Sequence, residues 1–162
     1  MSAQPVAKNN QDVSTLPRGA GGLDPYAYLD TKQEILERVG DLSGVEIANN
    51  EVLLAIYLRP EKTSGGIILT PRNRIEDRYQ SKASLVLKIG AACRFVRTDP
   101  KTGVTFGVPI AVGDWVIVKP SDAWNTDYSP KMDATDINDL IACRLVFDDQ
   151  IRMKIRHPAM FW

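Results

Sequence analysis

The sequence predicts an all-β domain, a small barrel or sandwich of short strands. Three observations point there. Apolar runs of strand length recur between residues 45 and 156, each bounded by Gly, Pro or Asp turn signals. Helical spacing is confined to one short stretch ahead of them. The hydrophobic share, 44%, is enough for 162 residues to bury a core without metals or disulfides.

Taken in order, residues 1–25 are rich in Gln, Asn, Gly, Pro and Ser, a composition that suits a disordered or extended arm. Thr31–Gly40 then reads as a short helix, with Asp30 or Thr31 as its cap and Gly40 as its stop. Ile35, Leu36 and Val39 give it one apolar side. The arm with its helix spans 1–44, the β-domain 45–156 and an apolar tail 157–162. Glu51–Leu58 is nearly continuous in apolar residues, as in a strand buried on both faces, and Pro60 ends it. Ser84–Gly90 is a second strand closed by glycine. Cys93–Arg97 and Val104–Val108 flank a Pro/Gly turn and read as a hairpin. Trp115–Lys119 follows Gly113-Asp114 and stops at Pro120. A polar segment holding Trp124 and Tyr128 leads to a strand around Ile141–Phe147. The last run, Ile151-Arg152-Met153-Lys154-Ile155-Arg156, alternates strictly, with apolar residues on one side and cations on the other. Cations on an edge strand discourage uncontrolled pairing. The tail Pro158–Trp162 either folds back onto the body or docks on a neighbouring subunit.

Charge and cysteine usage exclude several functions. Lys+Arg and Asp+Glu number 20 each, so no basic field draws nucleic acid or acidic membranes. No apolar run is long enough to span a membrane, and no signal-peptide core precedes the domain, so a cytoplasmic protein is expected. Cys93 and Cys143 share no CxxC pair, and His157 is the sole histidine, which argues against zinc, other cofactors and a Ser-His-Asp centre. An enzyme is not expected.

The segment richest in information is Lys62-Thr63-Ser64-Gly65-Gly66-Ile67-Ile68-Leu69-Thr70. Gly-Gly between apolar runs marks either a hairpin turn or a flexible loop with a sticky aliphatic tip. The charged stretch Pro71–Lys82 that follows is unsuited to a strand, so the triplet sits inside a long polar excursion. Loops of that length are usually functional or disordered.

In combination, Ser64-Gly65-Gly66-Ile67-Ile68-Leu69-Thr70, Leu85–Gly90, the hairpin and Val112-Gly113-Asp114 before a strand resemble the GroES-type co-chaperonins over residues 45–156. Trp115, the 119–124 segment and the long arm are similar to their longer phage-encoded relatives. The resemblance implies an irregular GroES-like β-barrel, a homo-oligomeric ring, heptameric in the family, and a mobile loop that docks on the apical domains of a GroEL-like chaperonin. Carried over, Ile67, Ile68 and Leu69 are the binding triplet, Gly65 and Gly66 its turn, and the Cys93–Val108 hairpin the roof of a dome. Ile151, Met153 and Ile155 lie where the family pairs subunits, and Phe161 and Trp162 join that expected interface. This chain departs from the pattern in its arm, its tail and the charges Arg72, Arg74 and Arg78, which read as solvated surface. The arm and tail also suit a different role, a virion structural protein that reuses the same barrel as a decoration, connector or tail component. The fold also occurs in zinc alcohol dehydrogenases, but the ligands and the nucleotide-binding half are missing here.

Overall fold

The computed structural model describes residues 25–59, 68, 70–132 and 139–161. Its main element is a six-stranded antiparallel sheet in the order β6-β7-β1-β2-β5-β8. The strands are β1 (Glu51–Ile56), β2 (Ala83–Ile89), β5 (Trp115–Val118), β6 (Trp124–Tyr128), β7 (Ile141–Phe147) and β8 (Ile151–Ile155). A separate pair, β3 (Val96–Thr98) and β4 (Thr105–Gly107), forms the expected hairpin. Two helices complete the regular structure of the described residues, α1 (Pro25–Val39) and α2 (Pro71–Gln80). The chain is therefore mostly β, as the apolar runs predict, and no sheet is closed among the described residues.

The central strands form where the sequence is apolar without interruption, because both faces of the sheet are covered. Leu53, Ala55, Leu85, Leu87, Trp115, Ile117, Ile141 and Cys143 build an outer cluster on one face. Ile35, Leu36 and Val39 of α1 pack there, with Leu42, Val45 and Ile47 from the segment that follows. Tyr57 meets Trp115 edge to face, with centroids 5.7 Å apart. Val52, Leu54, Val86, Val116, Val118 and Val146 form an inner cluster on the opposite face. Burying each such side chain contributes about 1.5–3 kcal/mol.

This sheet cannot be flat. β7 and β8 stand four places apart, about 19 Å at normal strand spacing. Only a 3₁₀ turn, Asp148–Gln150, joins them, and a chain that short reaches about 14 Å. The sheet must coil until its distant strands approach. Arg152 of β8 duly lies 3.7 Å from Asp122, just ahead of β6. Ala123 and Ile151, from opposite edges, both pack on the valine-rich cluster, which is therefore the face toward which the sheet curls.

Several expectations need correction. α1 reaches back to Pro25, so neither Asp30 nor Thr31 starts it, while Gly40 (φ +62°) does end it, its amide bonding to the Leu36 carbonyl at 3.1 Å. Most of the arm, 1–24, lies outside the described residues. Pro71–Gln80 avoids the strand state as expected but is a helix rather than loop. The polar segment of Trp124 and Tyr128 is strand β6, an edge paired with β7 alone among the described residues. β8 does not keep its apolar residues on one side. Val118 opposes Ile151 and Ile117 opposes Met153, so a bulge inserts Arg152 and turns the strand over. Ile151 consequently packs in the inner cluster and Ile155 in the outer one.

Gly90 closes β2 where the backbone crowds. A Cβ there would lie 2.5 Å from the Asn49 carbonyl oxygen and 2.8 Å from that of Glu51. Gly90→Ala is expected to lower stability by about 1–3 kcal/mol through this overpacking. The check is a lower urea midpoint with an unchanged denaturant slope. An unmoved midpoint would mean that the backbone yields freely there.

Candidate functional site

The chain leaves β1 after Ile56 and re-enters the sheet at Ala83, and the aliphatic triplet lies between. Ile68 is 73% exposed, an unusual setting for isoleucine. Gly65, Gly66, Ile67 and Leu69 lie outside the described residues. The described part of the excursion is defined at its base. Arg59 faces Asp77 of α2 through two side-chain nitrogens, Nε at 2.8 Å and Nη2 at 2.7 Å, and its amide also points at the carboxylate at 3.3 Å. This fork geometry raises the Arg59 pKa, chiefly by hydrogen bonding to Asp77. The next residue, Arg78, pairs with Asp127 on β6. Of the arginines read as solvated, Arg72 is so, and Arg78 is not.

α2 turns its apolar residues outward. Ile75 is 58% and Tyr79 61% exposed, one helical turn apart and on the same side. Behind the helix lies a cleft of about 210 Å³, walled by Tyr57, Arg59, Asp77 and the half-exposed Phe161. The tail thus folds back within its own chain, with His157 and Pro158 buried and the 158–160 turn against α1. Trp162 lies outside the described residues.

The other residues of the expected subunit contact lie on β8, which forms one edge of the sheet and has no strand partner on its outer side among the described residues. Met153 is 43% exposed there, whereas Ile151 is half-buried and Ile155 buried. Beside it, a groove of about 290 Å³ runs between β8 and the β3–β4 hairpin, floored by Phe95, Ile110 and Ile151. Asp148 anchors this corner. Burial pushes its carboxyl upward, but hydrogen bonds from the Arg94 amide and Asn50 outweigh that and hold it below the usual range.

Sequence reasoning missed one buried charge. Arg144 is fully buried on the inner face of β7, opposite Leu54, and no guanidinium nitrogen has a hydrogen-bond partner. Burial lowers its pKa to about 10. Its place between Cys143 and Leu145 in an otherwise apolar run was the available signal. Cys143 is buried, its thiol pushed up to about 12, and both cysteines are free. Among the described residues no acidic, cysteine or histidine cluster is able to hold a metal ion, and no helix is long and apolar enough to cross a membrane. The chain matches no protein-family model and no curated protein.

Proposed function

We propose that this protein is a co-chaperonin subunit that caps a GroEL-like chaperonin through the Ile67-Ile68-Leu69 triplet. The observation that carries the reading is the exposed Ile68 between two adjacent central strands, on an excursion whose base is fixed by Arg59 and Asp77. An aliphatic tip held out in water gains about 25 cal/mol for each Å² that a partner's apolar groove covers. One tip gives a weak contact, since ordering a loop consumes part of that gain. Several tips on one ring bind together, because each engaged loop raises the effective concentration of the rest. The uncovered edge of β8, with Met153 exposed, supplies one half of a head-to-tail contact of the kind that closes rings. The curled, valine-lined sheet with its roof hairpin is consistent with the irregular GroES-like barrel.

Ile68→Asp is expected to abolish co-elution with a GroEL-like chaperonin in the presence of ATP, weakening capture by about a hundredfold or more through the multivalent effect. The oligomer of the free protein should be unchanged. Undiminished capture by this variant would overturn the assignment.

A second reading has its own support. Val96, Val104, Phe106, Val108 and Val112 are all exposed on and beside the hairpin, an apolar surface that suits permanent contact with other proteins. On this reading the chain is a virion structural component, and it would co-sediment with intact particles rather than with a chaperonin.

A further inference from the structure

We propose that α2 is a releasable strap, held to the body by the Arg59–Asp77 and Arg78–Asp127 pairs, whose detachment frees the chain that follows Ile68 as far as β2. Ten residues are too few to sustain an isolated helix in water. Hydrophobic packing does not supply the difference, since Ile75 and Tyr79 both face solvent. Among the described side chains of α2, those bonded to the body are Asp77 and Arg78, adjacent in sequence and paired with two different strands' surroundings. Asp77 reaches back to the residue where the excursion leaves β1, and Arg78 reaches across to the edge strand β6.

The consequence is mechanical. With both pairs closed, α2 is tied to Arg59 and to Asp127. With both open, the chain from Pro71 is released as far as Ala83, where β2 begins. Lengthening a loop changes closure entropy little, so the pairs rather than chain entropy set the balance. Each pair keeps one partly exposed partner, Arg59 and Asp127, so salt weakens them, though less than fully exposed pairs, whereas apolar packing is not weakened. The strap goes beyond the chaperonin reading and bears on it only by setting how far Ile68 can travel.

The test uses the free full-length protein, so its failure is distinct from failure of that reading. Hydrogen exchange is followed by mass spectrometry in the wild type, in D77N/D127N and in the charge-reversed pair R59D/D77R. Amides of 71–80 should exchange at least tenfold faster in D77N/D127N, with β1 and β7 unchanged, and the reversed pair should regain most of the protection. Raising salt from low to molar concentration should accelerate the same segment in the wild type alone. Unchanged exchange in D77N/D127N, equal acceleration throughout the sheet, or loss without recovery in R59D/D77R would each overturn the strap.

Discussion

Arg144→Met is expected to raise the stability of the fold by about 3 kcal/mol. A guanidinium whose pKa burial lowers to about 10 pays for its charged form in the folded state at about 1.4 kcal/mol per pKa unit. No partner offsets the loss of hydration, since all three side-chain nitrogens are buried and unbonded. Methionine is unbranched and adaptable, so it can occupy the space beside Leu54 and Val146 without leaving a void. The sign follows from the direction of the shift. The folded state releases the proton more readily than the unfolded one, so the penalty is complete below about pH 10 and fades as pH rises above it. Urea denaturation at pH 7 is the measurement, and a thermal midpoint higher by about 6–12 °C should accompany it. An equal or lower stability for Arg144→Met would show that the charge is compensated in solution.

Acid should act on the other end of the molecule. Burial lowers the His157 pKa from 6.5 to about 4. The unfolded chain takes up a proton as pH falls through 6.5, while the folded chain keeps the imidazole neutral until about 4. Stability contributed by this group is therefore present above pH 6.5 and lost on descent to pH 4, about 3 kcal/mol in all. His157 stands just before the fully buried Pro158, at the root of the folded-back tail, so the tail should loosen first. A series of urea midpoints from pH 7 to 4 would display the slope, and His157→Gln should flatten that part of it. A wild type with no slope between those values would refute the assignment.

The elements legible in the sequence were those whose environment is uniform. β1, β2, β5 and β7 are predominantly apolar because each is covered on both faces, and a nearly continuous run announces that directly. β6 was hidden because an edge strand reading Trp-Asn-Thr-Asp-Tyr has mostly exposed side chains and lacks a core-facing pattern. α2 was hidden for a related reason. Its attachment is electrostatic, so it has no apolar stripe for helical periodicity to find, and its two anchors lie 18 and 49 residues away along the chain. In β8 the pattern itself misled, because period-two alternation presumes a regular ladder and the inserted Arg152 breaks it. Of the candidate loop residues, Ile68 is the one the structure describes, and it is exposed between β1 and β2. Arg144 eluded the reading because a cation inside an apolar run is ordinarily assigned to a solvated face.

The bulge in β8 makes that strand a rivet through both layers of the molecule. Ile151 is seated in one cluster and Ile155 in the other, so sliding the strand by one residue would unseat both at once. Trading the strand for the same strand of a neighbouring copy would have to empty two packed layers together. On the ring reading proposed above, assembly along this edge would therefore proceed by adding to it and not by exchange, leaving each subunit folded before it met the next.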